Sequence, residues 1–408
     1  MKVLLSDFVL TCNDRFDIIQ NGGVCFDEKI LEVGKGEELA AKYKNAEVIK
    51  LPENSVLMPG LINSHVHLEF CANSATLKFG DFMLWLKSVI HHREELQQKC
   101  SEELIELSLE NMLKEGVTAI GAVSSFGLDF KPCVKTPLHV VYFVEAIGSN
   151  PSALDTLFDD FKGRFYEAKR AKSGSFSPSI SVHSPYSTHA VLARHVLNIA
   201  RDEDVRVTAH FMESLHERKW LDEASGAMGE FMRDFNPHAK PTASAKEFLE
   251  LFDGVKTLFV HAVHAADSEL EIIAKQNNAI AHCPRSNRLL GTGALDIKKV
   301  QKAGVPLVLG TDGLSSNISL NMWHEMRAAL FTHQTFELND LAVLLLKSST
   351  NEGAKALGLN KGGLEKGFDA DIIALSLKEI PQDISELPLH IILQTTAARN
   401  VYIGGRLQ

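Results

Sequence analysis

Apolar and polar positions along the chain follow two different patterns. Up to about residue 54, short apolar runs at 3–5, 8–11, 24–26, 30–33 and 48–50 are separated by turns carrying Asn21-Gly22-Gly23 and Gly34-Lys35-Gly36. This is the signature of short strands. The same texture returns at the other end, where 367–375 reads as a strand entered from a turn and 401–406 as a closing strand. One small β-sandwich made from both termini, residues 1–54 and 361–408, accounts for both stretches. Between them, in 55–360, strand-like runs at 56–63, 116–120, 139–144, 179–182, 205–210, 257–261, 279–283 and 306–310 alternate with helical spacing. Leu104, Leu107, Leu109, Met112 and Leu113 show that spacing ahead of the second run, and 190–200 and 270–276 show it later. Eight alternations predict an α/β fold, a (β/α)8 TIM-like barrel. An open doubly wound sheet would call for a Gly-rich phosphate turn, and the chain has neither GxGxxG nor a Walker A motif. The helical stretch 82–98 follows the first barrel strand and is expected to hang over the barrel mouth.

Composition narrows the reading. With 408 residues, 45% hydrophobic and 23% charged, the chain is long enough for a large core. Its net charge of −10 argues against an extended basic surface for nucleic acid. No run reaches about 18 apolar residues, so no membrane partner is expected. The six cysteines are scattered without a CxxC pair, which suits free thiols in a reducing compartment. The opening Met1-Lys2-Val3-Leu4-Leu5-Ser6-Asp7 is too short an apolar run for a signal peptide, so the expected location is cytoplasmic.

The chemistry gathers where the strands end. In such a barrel, active-site residues stand at the C-terminal ends of the strands. His65-Val66-His67 closes the first run, and alternate side chains on a strand share a face. The two imidazoles, about 7 Å apart along the strand, face the same way and can grip one divalent ion. A lone HxH is more often two hydrogen-bonded histidines, but other strand ends supply more ligands. The fourth run ends in His183-Ser184-Pro185-Tyr186, the fifth in His210-Phe211-Met212-Glu213, the sixth in His261-Ala262-Val263-His264, and the eighth in Gly310-Thr311-Asp312-Gly313. His65, His67, His210 and Asp312 offer three nitrogens and one oxygen, a set that suits Zn2+ with a position open for water. Fe2+ is not distinguished from zinc by the sequence. Glu213, three residues past His210, is placed to move protons between water and a substrate ring nitrogen. His261 is the candidate for orienting the attacking water. Glu213, His261 and Asp312 are thus the catalytic candidates, Asp312 being a ligand as well. His183, Ser184 and Glu145 are candidate substrate contacts.

As a set, Pro59-Gly60-Leu61-Ile62-Asn63-Ser64-His65-Val66-His67, His183-Ser184-Pro185-Tyr186-Ser187 and Gly310-Thr311-Asp312-Gly313-Leu314-Ser315-Ser316-Asn317 resemble the amidohydrolase superfamily. Within it they resemble the mononuclear zinc deaminase and chlorohydrolase branch. The absence of a lysine at the fourth strand end argues against the binuclear dihydroorotase and hydantoinase branches. The resemblance implies hydrolytic loss of ammonia from an adenine ring, with one metal ion per subunit and subunits that pair as dimers. His67-Leu68-Glu69, the Phe82 and Trp85 helix, and the run 283–291 are most similar to the aminodeoxyfutalosine deaminases of menaquinone biosynthesis. Their substrate is an adenosine with a carboxyphenyl-ketone arm, which implies two more substrate contacts: Arg285 or Arg288 to pair with the carboxylate, and Trp85 or Phe82 to pack on an aromatic ring. Deamination of S-adenosylhomocysteine, methylthioadenosine or adenosine, and triazine dechlorination, are the alternatives.

Overall fold

Eight parallel strands form the larger unit of the computed structural model, which describes residues 1–408. In spatial order they are Leu61–Val66, Val117–Ser124, His139–Ala146, Phe176–Val182, Val207–Phe211, Thr257–His261, Ala279–His282 and Leu307–Leu309. Chain order and spatial order coincide, as strand–helix alternation demands when every crossover has the same hand. The strands are buried almost throughout, because side chains face either the barrel interior or the helices outside. An inner cluster contains Ile62, Ala119, Val141, Phe143, Val260 and Val308, joined by Ala354 and Leu357 of the helix Asn351–Leu357. The last strand meets the first without a regular ladder. Asn63 donates to Thr311 Oγ1 at 2.8 Å and accepts from Thr311 N at 3.1 Å. The amide of Asp312 donates to the carbonyl of His65 at 3.1 Å. At this seam a Cβ on Gly310 would stand 2.8 Å from that of His65, so only glycine fits.

The termini share a second sheet, in the order Arg406–Leu407, Asn400–Ile403, Ile372–Ser376, Ser55–Pro59, Lys2–Leu10, Ile18–Phe26, Ile30–Lys35, with Glu47–Lys50 also pairing with Lys2–Leu10. The runs expected at 3–5 and 8–11 are one strand that changes partner. Lys2 to Leu5 pair with Glu47–Lys50, and Phe8 and Val9 pair with Val56 and Leu57. Leu4, Val9, Val24, Phe26, Leu57 and Ile372 form its core. The single strand expected over 56–63 is in fact two. Ser55–Pro59 pairs within the terminal sheet, and Leu61–Val66 opens the barrel. The break falls at Gly60, where any Cβ would lie 2.2 Å from the Thr118 side chain. Glycine lets the backbone cross from sheet to barrel against the second barrel strand.

A buried ion pair ties the units together. Lys361 Nζ lies 2.6 Å from Asp371 Oδ2 and 2.7 Å from His139 Nδ1, with the lysine and aspartate side chains 2% and 1% exposed. His139 begins the third barrel strand, while Asp371 precedes the terminal-sheet strand Ile372–Ser376. The helical stretch expected over 82–98 is two helices, Phe82–His91 and Arg93–Lys99, hinged at His92. Asp81 caps the first by accepting from Leu84 N at 2.9 Å. No helix is long and apolar enough to cross a membrane.

Candidate active site

His65 and His67 leave the first barrel strand, His210 the fifth, and Asp312 the loop after the eighth; all are buried. His67 Nε2 and His210 Nε2 are 3.3 Å apart, and Asp312 Oδ1 is 3.6 Å from His65 Nε2 and 3.7 Å from His67 Nε2. Ligand atoms at tetrahedral angles around zinc, with bonds of roughly 2.0–2.2 Å, stand roughly 3.3–3.6 Å from one another. The set therefore has the spacing of a single coordination sphere. Neither ring nitrogen of His65 has a hydrogen-bond partner despite complete burial. Orphaned nitrogens of this kind are costly unless they bind something. His210 donates from Nδ1 to the His183 carbonyl at 2.9 Å, leaving its Nε2 lone pair for the site. Burial drives His67 down to about 4 and His210 well below its usual value, so both imidazoles are neutral, as ligands must be. Burial alone would raise Asp312, but the surrounding histidines outweigh it and hold the carboxyl well below its ordinary value. Ser286 and Ser316 hydroxyls donate to its Oδ2 at 2.7 and 2.8 Å, fixing the carboxylate.

Glu213 and His261 stand next to this set. His261 Nε2 is 3.6 Å from Glu213 Oε1 and 3.9 Å from Asp312 Oδ2. His261 donates from Nδ1 to Asn287 Oδ1 at 2.9 Å, which keeps the Nε2 lone pair facing the site. Burial pushes the Glu213 carboxyl well above its ordinary value, helped by the charges of Asp312 and Glu217. The loop carrying Glu213 is held from below, where Glu217 accepts from Met212 N at 3.0 Å and from Glu213 N at 2.9 Å. Met212, His261 and Asp312 all have left-handed backbones, with φ of +48°, +69° and +59°. Non-glycine residues hold such angles only when their surroundings force them, and such strain clusters at working sites.

A cavity of about 1380 Å³ opens in front of these groups, and His67, His210, Glu213, His261 and Asp312 all face it. Pockets for small molecules usually measure about 300–1,000 Å³, so this one has room for more than a nucleoside. Of the other candidates, His183, Glu145 and Trp85 also face it. Glu145 accepts from Ser125 Oγ at 2.5 Å and Ser181 Oγ at 3.1 Å. Trp85 donates to the Ser315 carbonyl at 2.8 Å. Ser184 is fully buried behind the wall and does not reach the cavity; its hydroxyl is 2.6 Å from Ser187 Oγ, which in turn lies 2.6 Å from His183 Nδ1.

The structure does not bring Arg285 to the cavity. The helix Pro284–Leu289 turns it toward the helix Met322–Thr332, where its amide donates to Glu325 at 3.2 Å and its guanidinium lies 3.6 Å from the same carboxylate. Glu325 is fully buried, and a buried carboxylate needs a partner. Arg288 is exposed and does not line the cavity. His264 donates from Nε2 to the Thr292 carbonyl at 2.6 Å, and His282 pairs with His333 at 2.9 Å; both lie outside the ligand set. Sequence reasoning missed Arg93, Phe126, Arg164 and Lys240, which do line the cavity. The available signal was Glu69. Its buried carboxylate accepts from the amides of Ser125 at 2.7 Å, Phe126 at 3.0 Å and Leu128 at 2.9 Å, and so positions the loop that carries Phe126.

Three buried imidazoles and a carboxylate at the strand ends of a (β/α)8 barrel, with a buried acid beside them and a deep cavity in front, define a hydrolase of the metal-assisted class. The chain belongs to the amidohydrolase family, whose model matches residues 56–407. It is 45% identical to an aminodeoxyfutalosine deaminase from a Nitratiruptor species, over 95% of each chain. It is 34% identical to an adenosine deaminase from Helicobacter pylori, over 99% of each. Among solved structures, it matches Helicobacter pylori aminofutalosine deaminase in complex with methylthio-coformycin at a TM-score of 0.96 and 33% identity, covering 100% of both chains.

Proposed function

We propose that this enzyme hydrolytically removes the 6-amino group from the adenine ring of a 5′-substituted adenosine, with 6-amino-6-deoxyfutalosine of menaquinone biosynthesis as its substrate. The observation that carries the reading is Glu213, a buried acid 3.6 Å from His261 at the edge of a four-residue ligand set. Similarity across the whole chain to an aminodeoxyfutalosine deaminase supports the choice of substrate. His65, His67, His210 and Asp312 would hold one divalent ion, zinc by the donor set, which supplies the Lewis acidity that makes water a nucleophile at neutral pH.

The protein's own groups do the rest. His261 Nε2 accepts a hydrogen bond from the attacking water and keeps it in line. Glu213 takes the water's proton and delivers it to the ring nitrogen beside the amine-bearing carbon. The same carboxyl then takes the remaining proton from the hydroxyl added to that carbon and passes it to the amine, so that the carbonyl forms as the C–N bond breaks and ammonia leaves. Burial raises the Glu213 carboxyl, which makes its carboxylate a stronger base toward water than an exposed glutamate. Chloride leaves without a proton and amine does not, so Glu213 favours deamination over dechlorination. The six cysteines are free, consistent with work in the cytoplasm.

The test is turnover of a nucleoside panel, followed by the adenine-to-hypoxanthine absorbance change and by ammonia release. The reading predicts one ammonia per nucleoside and a kcat/KM for 6-amino-6-deoxyfutalosine above that for adenosine. A higher value for adenosine would assign the enzyme to the adenosine deaminases instead.

A further inference from the structure

One wall of the cavity has no task in the deamination step. Trp85, Leu86, Val89, Ile90 and Arg93 face the cavity from the helices Phe82–His91 and Arg93–Lys99. Their spacing places them along one side of the helical segment. The near end is fixed beside the ligand set, because Trp85 donates to Ser315, which follows Asp312 in the same loop. Arg93 stands eight residues further on, at the start of the second helix just past the hinge at His92. The stripe therefore begins indole-first beside the reaction centre, continues through aliphatic side chains, and ends in a cation.

That cation is poised. The Arg93 guanidinium lies over the Phe126 ring at 5.1 Å and makes no salt bridge to any acidic side chain. Phe126 faces the same cavity, and Glu69 fixes its backbone. The cavity's other arginine, Arg164, is already engaged: Asp160 lies at 3.0 Å, and the Ser124 and Glu145 carbonyls accept from it at 3.3 and 2.8 Å. An apolar track that ends in an unpaired guanidinium above an aromatic face matches a particular ligand chemistry: a nucleoside whose 5′ extension is apolar and ends in an aryl carboxylate. We propose that Arg93 and Phe126 form the specificity subsite for that terminal carboxylate and its ring, and that the stripe from Trp85 to Ile90 seats the connecting chain. The inference rests on the deaminase reading and deepens it, moving the carboxylate contact from Arg285 to Arg93.

The experiment measures kcat and KM for wild type, Arg93→Gln, Arg93→Lys and Lys240→Gln. The substrates are 6-amino-6-deoxyfutalosine and the uncharged 5′-methylthioadenosine, each at low and high salt. Arg93 is exposed, so its variants fold. The subsite predicts that Arg93→Gln raises KM for the carboxylate substrate about tenfold, the scale of one charge-assisted pair. It also predicts kcat within about twofold of wild type, unchanged KM for methylthioadenosine, and partial recovery in Arg93→Lys. Salt should raise the wild-type KM for the carboxylate substrate and lose that effect in Arg93→Gln. Equal effects on both substrates, or a selective loss only in Lys240→Gln, would overturn the subsite while leaving the deaminase reading in place. Failure of the wild type to deaminate either nucleoside would overturn both.

Discussion

Glu217 gives the sharpest test of how the acid is aimed. Its carboxylate accepts from the amides of Met212 and Glu213 at 3.0 and 2.9 Å and is completely buried. Those two bonds clamp the left-handed turn at Met212 that directs Glu213 into the cavity. Burial lifts the Glu217 carboxyl from 4.5 to about 7, against the pull of its backbone partners. At about 1.4 kcal/mol per pH unit, an ionised Glu217 costs the fold roughly 3 kcal/mol above pH 7. The folded state holds the extra proton, so this contribution to stability falls as pH rises from about 4.5 to about 7. Glu217→Gln removes that cost but loses one charge-assisted acceptor, worth about 1.5–3 kcal/mol. The two effects nearly cancel, so the thermal midpoint at pH 7.5 should move little. Activity should not survive as well. A glutamine offers one acceptor to two amides, and displacing a catalytic group by about 1 Å costs about 10²-fold in rate. Steady-state kinetics should show kcat down by about that factor, KM within about threefold of wild type, and metal content unchanged. A wild-type kcat in Glu217→Gln would refute the claim that this carboxylate positions Glu213.

Other perturbations separate chemistry from scaffold. Glu213→Gln should keep its metal and lose about 10²–10⁴ in kcat, measured by ammonia release against metal content in the same preparation. Lys361→Met strands the buried Asp371 carboxylate and should lower unfolding free energy in urea by about 3–5 kcal/mol, with kcat little changed in the folded fraction. Arg285→Ala should leave KM for every nucleoside within about twofold, because the side chain is committed to Glu325; a selective rise for the carboxylate substrate would return it to the cavity wall.

The chemistry was more legible in the sequence than the walls around it. His65, His67, His210, Glu213, His261 and Asp312 could be grouped because each ends a strand, and strand ends in a barrel converge whatever the loops do. Arg285 also follows a strand, yet one turn of helix aims it at Glu325, and nothing local announces a partner forty residues away. Arg93 and Phe126 lie on a helix and a loop whose placement depends on tertiary contacts, including the bonds Glu69 makes across the first two barrel strands. The terminal sheet was visible from both ends as short apolar runs. The partner change within Lys2–Leu10 was not, because the strand stays regular while its neighbours alternate. Gly60 hid the boundary between sheet and barrel for the opposite reason. Apolar residues continue on both sides, and only the crowding by Thr118 shows why the chain turns there.

The central claim is that His65, His67, His210 and Asp312 act as one coordination sphere. Elemental analysis of the purified enzyme by mass spectrometry, wild type beside Asp312→Ala and His65→Ala, addresses it directly. The account predicts close to one equivalent of zinc or iron per chain in the wild type and near none in either variant after dialysis at neutral pH. A fully active wild type without a transition metal, or variants that keep a full equivalent, would contradict it.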